Sequence, residues 1–177
     1  EMNIRDWSSD VCSSDLHLLA IQWNSITASL LGEGQAVRYV VRASQPFEPT
    51  MPDAPSERFL RERLQETLST ADFELDFCVQ VQTDPATMPV ERLNVAWNAP
   101  LQKVATIRVL QQDFMSDGRM QFAENTSFNP WRALPEHRPL GQIARMRQSV
   151  YRTIADFRHA QNEVDPPEPT PDFDPDQ

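Results

Sequence analysis

Strand-like alternation of apolar and polar residues dominates the first two-thirds of the chain, and the longest helical repeat comes near the end. The clearest alternation is FELDFCVQVQT at residues 73–83, and weaker patterns predict strands within residues 36–44 and 101–111. Residues 140–160 contain no proline, and no glycine after Gly141, which predicts one long helix. Strands followed by a helix, without regular exchange between the two, indicate an α+β fold rather than an alternating α/β fold.

Further elements are predicted between these segments. HLLAIQW, residues 17–23, has the composition of a strand. Ser56 is a suitable N-cap for a helix that ends near Thr70, with apolar residues at helical spacing. Four prolines within residues 45–55 exclude a helix or a central strand there, and FAENTSFNPW at residues 122–131 is predicted to be a loop.

The composition excludes several classes of protein. A formal net charge of −10 argues against non-specific binding to nucleic acid or to an anionic membrane surface. No apolar run is long enough to cross a bilayer, so we expect a cytoplasmic protein. Cys12 and Cys78 are too few for a disulfide scaffold, and three histidines, His17, His137 and His159, are too few for an ordinary zinc site.

One segment near the beginning does not look like natural protein sequence. DWSSDVCSSDL, at residues 6–16, matches the translation of a widely used sequencing-library adapter, and no strand or helix periodicity fits it. We therefore expect residues 1–16 to be artefactual and residues 17–162 to be the C-terminal portion of a longer folded domain. Residues 163–177, rich in proline and acidic residues, are predicted to be a disordered tail.

The long C-terminal helix is predicted to carry an unusual face. Arg147 and Tyr151 are four residues apart, and Arg158 follows Tyr151 by seven, so the three side chains project from nearly one side. A phenolate can ligate ferric haem, and a neighbouring guanidinium favours the anionic phenolate and donates hydrogen bonds to its oxygen. The spacing alone favours a simpler interpretation, an amphipathic helix that carries a part-buried tyrosine and surface arginines.

The segment FNPWRALPEHRPLGQIARMRQSVYRTIADFR, residues 128–158, resembles the proximal side of the catalase superfamily. Its Phe-Asn-Pro start and its Arg-x-x-x-Tyr run, Arg147 to Tyr151, carry the resemblance. The EHRPLG form is most similar to catalase-like bacterial proteins related to allene oxide synthase domains. The resemblance implies a partial antiparallel β-barrel of the catalase type, followed by a C-terminal helix that carries the haem ligand.

The resemblance also implies a cofactor and a set of roles. The cofactor is haem b with Fe(III), Tyr151 is its axial metal ligand, Arg147 is the hydrogen-bonding partner of Tyr151, and Arg158 contacts a propionate. The implied activity is that of a haem-dependent oxidoreductase, which decomposes or uses hydrogen peroxide or organic hydroperoxides. The family's distal residues do not occur in a matching motif here, so the catalytic residues stay unknown and we expect this chain alone to be inactive.

Two other functions stay open from the sequence. The first is a fatty-acid hydroperoxide isomerase or lyase on the same scaffold, with a lipid hydroperoxide as substrate. The second is a haem-free β-barrel protein that binds an apolar small molecule. A homo-oligomer is compatible with either function.

Overall fold

A computed structural model describes residues 16–167 of the 177-residue chain. Nearly all of the adapter-like segment, and the tail from residue 168 onward, lie outside the described residues. The division into an artefactual segment, a folded portion and a disordered tail therefore stays a prediction.

Five strands form one sheet in the described part of the chain. They are β1 (Trp23–Asn24), β2 (Ser29–Leu30), β3 (Ala36–Ala43), β4 (Phe73–Val81) and β5 (Leu101–Val109). The order is β1-β3-β4-β5, and β2 also pairs with β3. Both short strands run antiparallel to β3, with Trp23 opposite Val41 and Ser29 opposite Val37.

The α+β class predicted from the sequence is confirmed, but the predicted barrel is not. Within residues 16–167 the sheet is open, with β1 at one end of the strand order and β5 at the other. Because β1 contributes only two residues, it offers few backbone groups to a further strand. The described residues form an open antiparallel sheet, and its place in a partial barrel of the catalase type stays a prediction.

The strand predicted at residues 17–23 is wrong for all but its last residue. The backbone turns at once: the amide of Ala20 donates to the carbonyl of His17, and the amide of Leu19 donates to His17 Nδ1 at 3.1 Å. These local bonds satisfy groups that a strand would have paired across a sheet. On β4, Cys78 is fully buried, although the alternation had placed it on the more polar side.

Three α-helices are present in the described residues, at α1 (Phe59–Thr70), α2 (Asp117–Asn125) and α3 (Gln142–Asn162). The first begins later than predicted, because the Ser56 hydroxyl accepts from the amide of Arg58 and forms a turn ahead of the helix. The second was not predicted, since its last four residues fall within the segment 122–131 that was predicted to be a loop. Its N-cap is Ser116, whose side chain accepts from the amide of Arg119.

The described chain divides into two compact units. The first comprises residues 16–24, 40–78 and 102–113. Within it, Leu68 of α1 is buried, and Phe47 makes edge-to-face contacts with His17 and Phe73 at ring distances of 4.8 and 5.3 Å. The His17 ring also lies 2.9 Å from the hydroxyl of Thr67, which ties the start of the described chain to α1.

The second unit comprises residues 25–39, 79–101 and 114 onward. Its core consists of Ala28, Ala36, Met88 and Trp97, packed by Val90, Ala99 and Leu140. The amide of Leu140 donates to the carbonyl of Ala28 at 2.8 Å. Since Leu140 lies just before α3, this core fixes where the long helix starts.

Candidate functional site

The start of α3 is held by a carboxylate that is distant in sequence. Gly141 precedes the helix with φ at +90°, a conformation that favours glycine. The Glu91 carboxylate accepts from the amide of Gln142 at 2.8 Å and lies 4.0 Å from the guanidinium of Arg145. A negative charge at a helix N-terminus satisfies a free amide and interacts favourably with the helix dipole.

The end of α3 is held through the end of α2. Arg158 donates from Nη2 to the carbonyl of Thr126 at 2.7 Å, and His159 Nε2 lies 2.6 Å from the carbonyl of Asn125. The side chain of Asn162 bonds to that of Asn125 at 2.8 Å. Carbonyls at a helix end lack partners within the helix, so these contacts both cap α2 and fix the last turns of α3.

A loop at residues 127–132 packs beside the middle of α3. Its shape is fixed internally, because Asn129 accepts from the amide of Trp131 and Arg132 donates to both the carbonyl and the hydroxyl of Ser127. The Trp131 indole N–H donates to the carbonyl of Ala144 at 2.7 Å. The loop is therefore anchored to the helix that carries Tyr151.

Arg147 and Tyr151 are brought together on one side of α3. Arg147 Nη2 donates to the phenolic oxygen of Tyr151 at 2.5 Å, and the guanidinium carbon lies 5.0 Å from the centre of the tyrosine ring. The phenol is half-buried. The predicted neighbourhood of the two side chains is observed, while their roles toward haem stay a prediction.

A cleft of about 290 Å³ opens beside Tyr151. Its walls are Thr126, Ser127, Phe128, Val150, Tyr151, Ile154, Ala155 and Arg158. Phe128 is 80% exposed and Ile154 is 59% exposed, so much of the surface around this cleft is apolar and uncovered in the described residues. Arg158 lines the same cleft, and its Nε is buried without a hydrogen-bond partner in residues 16–167.

The lining of the cleft therefore suits a ligand with an apolar part and an acidic part. Val150 and Ile154 would contact the apolar part, and the unpartnered nitrogen of Arg158 would meet the acidic part. Tyr151 presents an oxygen to the same space. The described residues contain no cluster of three or more His, Cys, Asp or Glu side chains that could hold a metal ion by itself.

Some residues that shape the site were not predicted. Glu91, which holds the start of α3, is 51 residues from Gln142 and carries no local signal. Asn125 and Thr126 were assigned to a loop, although they end α2 and receive the bonds from the end of α3. A capping pattern at Ser116 could have revealed α2, since serine followed at once by an acidic residue is typical of a helix start.

The fold of the chain is similar to part of a catalase. A crystal structure of a fungal catalase matches the chain with a TM-score of 0.65 at 15% sequence identity. The match covers 83% of this chain and 32% of that catalase, so the chain spans about a third of the catalase's length. A likeness at this identity concerns the fold alone. No protein-family model and no curated protein sequence matches the chain.

None of the helices within residues 16–167 has both the length and the apolar character that a bilayer crossing requires.

Proposed function

We propose that this chain forms the proximal side of a haem site, and that its parent protein is a haem-dependent oxidoreductase acting on hydrogen peroxide or an organic hydroperoxide. The observation that carries the proposal is the hydrogen bond from Arg147 to the phenolic oxygen of Tyr151 at the edge of an apolar cleft. The similarity of the fold to a fungal catalase supports it.

The residues present fit haem b. Tyr151 would bind the Fe(III) through its oxygen, and Val150 and Ile154 would contact the macrocycle. The buried Nε of Arg158, which has no partner in the described residues, would donate to a propionate. Bound haem iron supplies the redox chemistry that peroxides require.

Each side chain then has a definable task. The guanidinium of Arg147 donates a hydrogen bond to the Tyr151 oxygen and so holds that oxygen in place at the edge of the cleft. Arg158 divides its donors, with Nη2 on the carbonyl of Thr126 and Nε free for an anion. The capping contacts of α3 limit the movement of Tyr151 along the cleft.

The test is a titration of the 177-residue chain with haemin, followed by visible absorption. The chain contains two tyrosines, which gives a matched pair of variants: Tyr151→Phe in the cleft and Tyr39→Phe on β3. We expect a Soret band at one haem per chain in the wild-type protein and in Tyr39→Phe, and its loss or a large shift in Tyr151→Phe. Failure of the wild-type chain to give the band, or equal spectra for both variants, would overturn the proposal.

Use of a lipid hydroperoxide, as by an isomerase or lyase, remains a choice of substrate within this proposal. The alternative of a haem-free β-barrel that binds an apolar small molecule has less support, since the sheet in residues 16–167 is open. Saturable uptake of an apolar dye with no Soret band would favour that alternative.

A further inference from the structure

A second and larger cleft, of about 690 Å³, adjoins the first along α3. Tyr151 and Phe128 line both clefts. Much of the rest of its lining is polar, and α3 presents four of these polar side chains from one face at helical spacing. They are Arg145, Ser149, Arg152 and Asp156. Its volume lies within the range of about 300–1,000 Å³ typical of small-molecule sites.

The charge of this cleft contrasts with the charge of the chain. Three guanidinium groups line it, from Arg132, Arg145 and Arg152, against one carboxylate from Asp156. The chain as a whole carries a formal net charge of −10. A concave surface with a positive lining in an acidic protein attracts anions rather than cations.

Two of the three guanidinium groups have no carboxylate partner in the described residues. Arg132 donates to the carbonyl and the hydroxyl of Ser127, both uncharged acceptors. No ion pair of Arg152 is present within residues 16–167. Arg145 forms a long ion pair with the carboxylate of Glu91, at 4.0 Å. The charges of Arg132 and Arg152 are therefore available to a ligand.

The opposite wall is preorganised. Trp131 lines the cleft, and its indole N–H is bonded to the carbonyl of Ala144, which fixes the ring. The same loop is closed by the bonds from Arg132 to Ser127, so a ligand would meet side chains that are already ordered. Ser149 and Thr153 add hydroxyl groups to the lining.

We infer that this second cleft is a binding site for a small molecule that carries several phosphate or carboxylate groups. A guanidinium presents parallel N–H donors that match the oxygens of either group. Arg152 lines the cleft and has no ion pair within residues 16–167, so its donors are free to do so. The inference does not rest on the haem proposal, because the binding can be measured on the chain without haem.

The test is isothermal titration calorimetry of the 177-residue chain with pyrophosphate and with citrate, at constant ionic strength. The variant is Arg152→Gln, and the matched control is Arg61→Gln, an exposed arginine on α1. We expect saturable binding to the wild-type chain and the control, and binding roughly tenfold weaker in Arg152→Gln. Arg152→Lys, which keeps the charge but loses the fork, should lie between them.

Circular dichroism of each variant verifies that the fold is unchanged. Stronger binding of pyrophosphate would assign the site to phosphates, and stronger binding of citrate would assign it to carboxylates. Heat exchange that does not saturate with either anion, or an equal loss in Arg61→Gln and Arg152→Gln, would show that only non-specific surface charge is involved and would overturn the inference.

Discussion

The phenolic oxygen of Tyr151 accepts a hydrogen bond of 2.5 Å from Arg147, one helical turn earlier, and the guanidinium carbon of Arg147 lies 5.0 Å from the tyrosine ring. Both residues belong to α3, whose first turn is tied to Glu91 and whose last turns are tied to the end of α2. The helix geometry therefore brings the two side chains together, and the contacts at the two ends of α3 determine where the pair lies.

The first prediction concerns Arg147 and rests on the proposed function. Replacement of Arg147 by Gln should weaken haem binding roughly tenfold, because a hydrogen bond to a charged group contributes about 1.5–3 kcal/mol. It should also lower the midpoint reduction potential of the bound haem, since the ligand oxygen loses a hydrogen bond and a neighbouring positive charge and becomes a stronger donor to Fe(III). Haemin titration and potentiometry measure the two effects.

The control for that prediction is Arg145→Gln, which removes an arginine of the same helix that does not contact Tyr151. Arg147→Lys should change the potential less than Arg147→Gln does, because lysine keeps the positive charge. If Arg147→Gln and Arg145→Gln gave the same affinity and the same potential, the assigned role of Arg147 would be wrong.

The second prediction concerns the structural task of Arg158, its bond to the carbonyl of Thr126, apart from any contact with haem. In the chain without haem, Arg158→Met should lower the free energy of unfolding by about 1 kcal/mol, because the carbonyl of Thr126 loses its donor. Urea denaturation followed by circular dichroism measures this change. Arg152→Met, at an exposed position of the same helix, should change it by less than about 0.5 kcal/mol. Equal destabilisation by the two variants would argue against the structural task of Arg158.

The third prediction concerns the carboxylate at the start of α3. Glu91→Ala should lower the free energy of unfolding by about 1 kcal/mol, since the amide of Gln142 loses its acceptor and the helix loses a favourable charge. Faster amide hydrogen exchange in the first turn of α3 would localise the effect. Glu33→Ala, an exposed glutamate between β2 and β3, provides the control. Unchanged exchange in that turn would contradict the assignment.

The fourth prediction is a pH dependence of stability that comes from His17. Burial lowers the pKa of His17 below its ordinary value of 6.5. The unfolded chain therefore takes up a proton at a higher pH than the folded chain does. The stability that neutral His17 contributes is complete above pH 6.5 and is lost as the pH falls through 6.5 toward the folded-state pKa.

The hydrogen bonds of His17 explain why the folded chain favours the neutral imidazole. The His17 Nδ1 accepts from the amide of Leu19, so in the neutral ring the proton lies on Nε2, which faces the hydroxyl of Thr67. Protonation of Nδ1 would place its N–H group against the amide N–H of Leu19. When the pH is lowered from about 7.5 to about 5.5, the urea concentration at the unfolding midpoint should decrease. The decrease should be smaller in His17→Gln. His137→Gln should keep the wild-type dependence, and an equal fall in all three proteins would refute the prediction.

The sequence predicted the long elements of the fold better than the short ones. Alternation located β3, β4 and β5, and the uninterrupted helical repeat located α3, because these patterns extend over eight residues or more. It failed at residues 17–23, where apolar residues of strand-like composition form turns instead. The bonds from Leu19 and Ala20 back to His17 decided that conformation, and no periodicity reports them.

In the candidate site, too, the sequence predicted the local contact and missed the contacts between distant elements. Arg147 and Tyr151 were predicted as neighbours, since positions four apart on a helix lie on one face. The bond from Arg158 to Thr126 was not predicted, because it depends on the end of α2, which was predicted to be a loop. The second cleft was also missed, since its two walls are a loop and a helix face with no shared pattern.

What the sequence determined by itself was local: the periodicity of each strand and of α3, the acidic charge, and the spacing that places a guanidinium beside a phenol. These follow from backbone geometry, which repeats along the chain whatever the chain packs against. The tertiary structure decided the rest, namely that the sheet stays open, that Glu91 and Asn125 hold the two ends of α3, and that the loop at residues 127–132 leaves one apolar and one positively charged cleft beside Tyr151. Contacts between residues dozens of positions apart depend on how all the elements pack together, and that information does not lie in any single segment.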